Sequence, residues 1–200
     1  MRPLDSRRFP DDPLRLHARG MAAVSVLVDV LRRFPARRSL APGPLPLGTA
    51  SRILERALAA TPLEREPQDN GLGSEAIDIY VALASGVYQF DRICRLLYSV
   101  SSRDIRPELS SLDRLPPAPL NLIYVARSGR SAHLREQDTT ALSAINTATL
   151  CEHVDRFCMT EELITAARGW LDRAALARSI GLAPNQHPLL VQSIGYPATP

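Results

Sequence analysis

Apolar residues recur at intervals of three and four in two stretches near the N-terminus, and this is the spacing of one face of a helix. The first stretch begins at Met21 and ends at Pro35, with an apolar face made of Ala23, Val26, Leu27, Val30 and Leu31. The second stretch follows a proline-rich connector, and its predicted buried stripe consists of Leu47, Ala50, Ile53, Leu54, Ala57 and Leu58. We expect two amphipathic helices, an irregular arm over residues 1–20 before them and a polar loop over 61–75 after them.

The pattern changes to alternation in the middle of the chain. Ile77, Ile79 and Val81 alternate with three other residues, which predicts a strand with two different faces. Ser85-Gly86 predicts a turn into a second strand at 87–90, and residues 96–100 predict a third. Residues 120–126 (LNLIYVA) are apolar and β-branched enough for a central strand, and residues 189–194 predict the last strand.

Two helices are predicted among these later strands. The longer covers about 139–160 and carries apolar residues on more than one face, so it should be buried on two sides. Asp172 is the expected cap of a short helix that Gly181 closes. Strands interrupted by helices predict the α+β class. We expect an irregular arm over 1–20 and a single domain over 21–200, built on a mixed central sheet flanked by helices.

Composition and charge exclude several functions. All 24 basic residues are Arg, so every mechanism that needs a lysine is absent. The net charge of +3 is small and its basic residues are scattered, which speaks against a nucleic-acid partner. No apolar run approaches the roughly 18 residues of a membrane span, and the N-terminus shows no signal-peptide pattern. We therefore expect no membrane association and a cytoplasmic location.

The three cysteines are odd in number and predict no disulfide framework. Cys151, His153, Asp155 and Cys158 have the residue types of a metal cluster, but at about 100° per helical residue His153 points away from Cys151. Buried structural cysteines and no metal site are the prediction. Glu152 and Arg156 are spaced for an i,i+4 ion pair.

Arg168-Gly169 follows an apolar run and precedes the capping Asp172. A glycine at such a point lets the backbone approach a planar ligand, and its amide can donate a hydrogen bond. The same two residues also suit an ordinary strand-to-helix turn. Both interpretations stay open on the sequence alone.

From Ile77 to Pro197 the chain resembles the nitroreductase family, in particular its short flavin-dependent branch related to SagB-type dehydrogenases. The resemblance is carried by the segments IDIYVALASGVYQFD, DIRPEL, APLNLIYVAR, SAINTATLCEHVDRFC and AARGWLDRAALARSIGLAPNQHPLLVQSIGYP. The first half agrees through LVDVLRR and PLPLGTASRILERAL. The resemblance implies an intertwined homodimer with FMN at the interface, and a flavin that takes hydride from NAD(P)H or an organic substrate.

The resemblance also implies which residues bind the flavin. Arg168 and Gly169 match the family's Arg-Gly turn, whose backbone amide meets the N5 edge of the ring. The family's phosphate-binding Arg-Arg-Ser-x-Arg segment falls on Arg37, Arg38 and Ser39 in one frame, while the ungapped frame retains Arg38 alone. Gly73 occupies the place of the family's ring-binding Asn.

Three functions remain compatible with the sequence. The first is an FMN-dependent oxidoreductase acting on a small organic substrate in a biosynthetic pathway. The second is a flavin-free member that performs a non-redox step, with Glu152 and His153, which replace a Gln-Asn pair of the family, as weak catalytic candidates forming an acid–base pair. The third is a structural partner that forms a hetero-oligomer with an active paralogue.

Overall fold

The computed structural model describes residues 40–41, 43–58, 77–110, 116–127, 136–169 and 172–198. The predicted arm over 1–20, the predicted helix from Met21 and the predicted loop over 61–75 lie outside these residues. The first described helix corresponds to the second predicted one.

Six strands form one sheet in the order β3-β2-β1-β4-β6-β5. The strands are β1 (Ile77–Leu83), β2 (Gly86–Asp91), β3 (Leu96–Ser101), β4 (Leu120–Arg127), β5 (Ile164–Arg168) and β6 (Gln186–Gly195). Every strand predicted from alternation is present, and β4 has the central place that its apolar sequence predicts. The helices are α1 (Leu47–Arg52), which continues as a π-helical segment (Ile53–Leu58), then α2 (Arg106–Ser110), α3 (Glu136–Thr160) and α4 (Arg173–Ser179). The α+β class is confirmed.

The five strand pairings of the described sheet are all antiparallel, so the prediction of a mixed sheet is wrong for these residues. Helix α3 connects β4 to β5 as a crossover, and such a connection makes two strands run in the same direction. However, β6 lies between β4 and β5 and pairs antiparallel to each of them. The two parallel strands therefore never touch.

Helices cover both sides of the sheet, and we name the sides by the helices that pack on them. Face A packs against the π-helical segment and α3, through a cluster that includes Ile79, Leu122, Tyr124, Val154 and Leu190. Face B packs against α2 and α4, through a cluster that includes Tyr80, Val125, Leu109, Leu176 and Val191. Both sides of β4 are buried for this reason, which agrees with its continuous apolar sequence.

The local signals for the last helix are confirmed. Asp172 Oδ1 accepts a 2.9 Å hydrogen bond from the Ala175 amide, which is the N-cap contact that the sequence predicts. Gly181 follows the helix with φ +66°, a conformation that favours glycine.

Two predictions about burial need correction. Leu47 was predicted on the buried stripe, yet it is 74% exposed because it begins α1, whereas α3 packs mainly against the π-helical segment further along. Helix α3 was predicted to be buried on two sides. Within the described chain only one side is buried, and its outer side exposes Ile145 and Met159. No helix among the described residues combines the length and apolar character needed to cross a bilayer.

Candidate functional site

Arg168 and Gly169 lie at the end of β5, where the sequence predicts a turn. Arg168 is opposite Val191 of β6, so its side chain lies on face B, and it is 7% exposed. Its Nη1 donates a 3.2 Å hydrogen bond to the Leu109 carbonyl at the end of α2. Gly169 is half-buried. Arg168 thus holds the end of β5 against α2, and Gly169 follows directly after that strand.

Glu152 and His153 lie on the part of α3 that faces away from the sheet. Cys151 and Val154, their neighbours on either side, are fully buried against face A, while Glu152 is half-buried and His153 is exposed. The predicted i,i+4 ion pair is confirmed, because Arg156 Nη2 lies 2.7 Å from Glu152 Oε1.

The sheet separates these two groups of candidates. Arg168 lies on face B, and α3 packs on face A with Glu152 and His153 directed outward. One chain therefore does not bring the predicted acid–base pair to the predicted flavin contact. The other predicted cofactor residues, which are Arg37, Arg38, Ser39 and Gly73, lie outside the described residues.

Sequence reasoning missed a polar cluster at one end of face B. Asp78 Oδ2 accepts hydrogen bonds from Arg127 Nη2 at 2.6 Å and from Gln186 Nε2 at 2.7 Å. The same Gln186 nitrogen lies 3.3 Å from the hydroxyl of Tyr80, and burial raises the pKa of that hydroxyl. These four residues, the sheet-end cluster, join the beginnings of β1 and β6 to the end of β4. Their sequence separations of up to 108 residues gave no local signal.

Two buried hydroxyls on α3 form a second feature that the sequence did not reveal. Ser143 Oγ and Thr147 Oγ1 are almost completely buried one helical turn apart, and neither has a hydrogen-bond partner among the described residues. A helical serine or threonine ordinarily bonds a carbonyl in the preceding turn or faces water. These two hydroxyls are therefore donors that remain available to a polar group.

The cysteines of α3 behave as core residues. Cys151 and Cys158 are fully buried, and burial raises the pKa of both thiols, that of Cys158 to about 12. Asp155, between them, accepts a 2.7 Å hydrogen bond from Thr165 Oγ1 on β5. No group of His, Cys, Asp and Glu with metal-binding geometry is found among the described residues. The polar contacts of this region thus tie α3 to the sheet.

Comparison with solved structures identifies the fold. A protein from Ralstonia eutropha, provisionally assigned as a nitroreductase, is 26% identical and has a TM-score of 0.69, covering 100% of this chain and 89% of its own. The chain has the nitroreductase fold. Nitroreductase A from Vibrio parahaemolyticus is 13% identical with a TM-score of 0.58, over 87% of this chain and 69% of its own.

The nitroreductase fold also links the chain to a structure from a multiprotein complex. The Escherichia coli microcin synthetase McbBCD complex with truncated pro-MccB17 bound is 16% identical with a TM-score of 0.64, over 83% of this chain and 67% of the matched chain. No protein-family model matches the sequence, and no curated protein matches it either. The recurrence of nitroreductases among the similar structures supports an oxidoreductase-like family for this fold.

Proposed function

We propose that this chain is an FMN-dependent oxidoreductase of the nitroreductase family, acting on a small organic substrate in the cytoplasm. The observation that carries the proposal is the similarity to the Ralstonia eutropha structure, which extends over the whole chain. When bound, FMN would supply hydride and electron transfer, with NAD(P)H as the reductant. The protein would supply binding, orientation and exclusion of water.

The donors of this chain suit the chemistry of FMN. A flavin ring needs a close backbone amide, and Gly169 offers one at the half-buried end of β5. Arg168 is a positioning residue in this proposal, because its bond to Leu109 fixes the strand end from which Gly169 follows. A phosphate needs bidentate cations, for which Arg37 and Arg38 with Ser39 are the candidates. Gly73, in the place of the family's ring-binding Asn, is the remaining candidate for a contact with the ring.

We further propose that the protein is a homodimer. The outer side of α3 exposes Ile145 and Met159, although the sequence predicts burial on that side as well. A second copy packed there would bury these residues, and it would bring the outward-facing Glu152 and His153 into an interface. Assembly with a paralogue through the same side is the hetero-oligomeric alternative.

The test of the proposed function is flavin retention. The purified protein is incubated with excess FMN and desalted, and its visible absorption spectrum is recorded. A retained flavin band that bleaches when NAD(P)H is added without oxygen is the expected result. Riboflavin, which lacks the phosphate, is the matched ligand, and it should bind at least about tenfold more weakly if Arg37 and Arg38 hold the phosphate.

A protein that stays colourless after incubation with FMN would contradict flavin use, and the second candidate function would then be favoured. In that candidate, Glu152 and His153 act as an acid–base pair in a non-redox step. The exposed His153 and the Arg156 contact that holds Glu152 are the observations that favour it. If the colourless protein has an activity that His153→Ala abolishes, the flavin-free enzyme is supported. If His153→Ala has no effect on the colourless protein, the structural partner is supported.

A further inference from the structure

The outer edge of the sheet at β3 is apolar and open. Leu96 is 53% exposed, Tyr98 52% and Val100 41%, and all three are large hydrophobic residues. Among the described residues β3 pairs with β2 on one side only, because it is the first strand in the sheet order. Tyr98 is opposite Gln89, which is opposite Tyr80, so Tyr98 lies on face B. Strand β3 thus combines a backbone edge that pairs with no other described strand and apolar side chains that are exposed.

This edge lacks the features that usually keep edge strands from pairing. Natural edge strands are protected by charged side chains, prolines or bulges. The sequence of β3, LLYSVS, contains no charge and no proline. One bulge is present, at Val100, which is the residue of β3 without a partner in β2, and it lies toward the end of the strand. The stretch Leu96–Ser99 therefore keeps regular geometry and a usable edge.

We propose that β3 pairs antiparallel with β3 of a second copy of this chain, with Tyr98 at the centre. In that register Tyr98 is opposite Tyr98 on face B, and Leu96 is opposite the bulged Val100 of the second copy, so the residues that meet across the contact are uncharged. Arg95 is opposite Ser101, and no like charges face each other. A segment that is complementary to itself in this way suits a closed two-fold contact.

The second copy is the favoured occupant because, in this register, uncharged residues of one copy face uncharged residues of the other along β3. The two six-stranded sheets would join into one continuous sheet. This contact uses an edge of the sheet, whereas the proposed dimer uses the outer side of α3. The two contacts are therefore separate. In a closed assembly with two-fold contacts, loss of the β3 contact halves the mass whether or not the α3 contact also forms, because it leaves either the α3 dimer or a monomer.

The test exploits the symmetry of the Tyr98 position. Tyr98→Arg and Tyr98→Asp each place like charges opposite one another at the two-fold axis, so each variant alone should have half the wild-type mass in size exclusion with light scattering. Mixing the two variants places Arg opposite Asp, and the wild-type mass should return. Leu47→Arg is the matched control, because Leu47 is an exposed apolar residue on α1, and it should leave the mass unchanged.

Three results would overturn the proposal. If both variants keep the wild-type mass and the wild-type Tm, the edge is open in solution. If they keep the mass but lose several degrees of Tm, residues of the same chain cover the edge instead. A mass that falls for both variants and does not return on mixing would also contradict pairing centred on Tyr98. Flavin retention is read separately in each sample, so the assembly result does not depend on it.

Discussion

The hydroxyl of Tyr124 on β4 donates a 2.6 Å hydrogen bond to Gln192 Oε1 on β6, in the fully buried centre of face A. Gln192 Nε2 in turn donates to the Cys151 carbonyl of α3 at 3.1 Å. One amide thus connects two strands and the long helix. Burial raises the pKa of the Tyr124 hydroxyl, which keeps it protonated as the donor.

Tyr124→Phe should lower the free energy of unfolding by about 1–3 kcal/mol, because it leaves the buried Gln192 oxygen without its donor. Urea denaturation followed by circular dichroism measures the loss. Tyr196→Phe removes the same hydroxyl from an exposed tyrosine, and it should change the free energy by less than about 0.5 kcal/mol. Equal effects of the two substitutions would show that the Tyr124 contact has no special weight.

Two glycines should respond to alanine in opposite directions. Gly86 has φ +134°, and a Cβ there would lie 2.2 Å from the Ser101 carbonyl oxygen, so Gly86→Ala should cost at least about 1–3 kcal/mol. Gly48 lies inside α1 with no atom closer than 4.0 Å to its Cβ position, so Gly48→Ala should gain about 0.4–1 kcal/mol. Thermal unfolding measures both effects, and a gain in stability for Gly86→Ala would contradict the turn geometry.

One thiol of three should react in the native protein. A thiol reacts as thiolate, and burial raises the pKa of Cys151 and Cys158 far above neutral pH, so both stay protonated and shielded. Cys94 is exposed in the turn between β2 and β3. Titration with a chromogenic disulfide reagent should count one thiol before denaturation and three after it. Cys94→Ser should abolish the native reaction, and a second native thiol would show that α3 opens.

Arg38→Ala should weaken FMN binding by at least about tenfold, because removal of one cation from a buried phosphate typically costs about 2–5 kcal/mol. Fluorescence titration of FMN measures the affinity. Arg103→Ala is the control, since Arg103 is exposed and pairs with Glu108 on the surface. Riboflavin affinity should change little in either variant, and an unchanged FMN affinity for Arg38→Ala would place the phosphate elsewhere.

Local patterns predicted most of the described fold. The alternation from Ile77 predicts strand β1, and Ser85-Gly86 predicts the turn into β2. Both signals involve only residues that are close in sequence, so the sequence was sufficient for these two strands. Whether neighbouring strands run parallel or antiparallel was not predictable in this way, because it depends on the insertion of β6 between β4 and β5. Leu47 was wrongly assigned to the core because helical spacing shows which residues share a face, but it does not show how far along that face α3 packs.

At Arg168-Gly169, where a glycine follows an apolar run, the sequence predicted a turn after a strand, and β5 ends there. The role of Arg168 itself depends on Leu109, which is 59 residues away, and no spacing rule joins the two. The sheet-end cluster likewise joins Asp78 to Arg127 and Gln186 over distances that only the folded sheet creates. The unsatisfied hydroxyls of Ser143 and Thr147 are visible only when burial is known.

The position of β6 determines when this protein can fold during synthesis. Within the described sheet β5 hydrogen-bonds only to β6, and β6 follows the other described strands in the sequence. A nascent chain that has already emerged through β5 therefore has β4 and β5 side by side with a strand-wide gap between them. Contacts so distant in sequence form slowly, and exposed strand edges favour aggregation during the wait. The described sheet is thus completed only after β6 has been synthesised, and a chain truncated before β6 would lack the strand to which β5 hydrogen-bonds among the described residues.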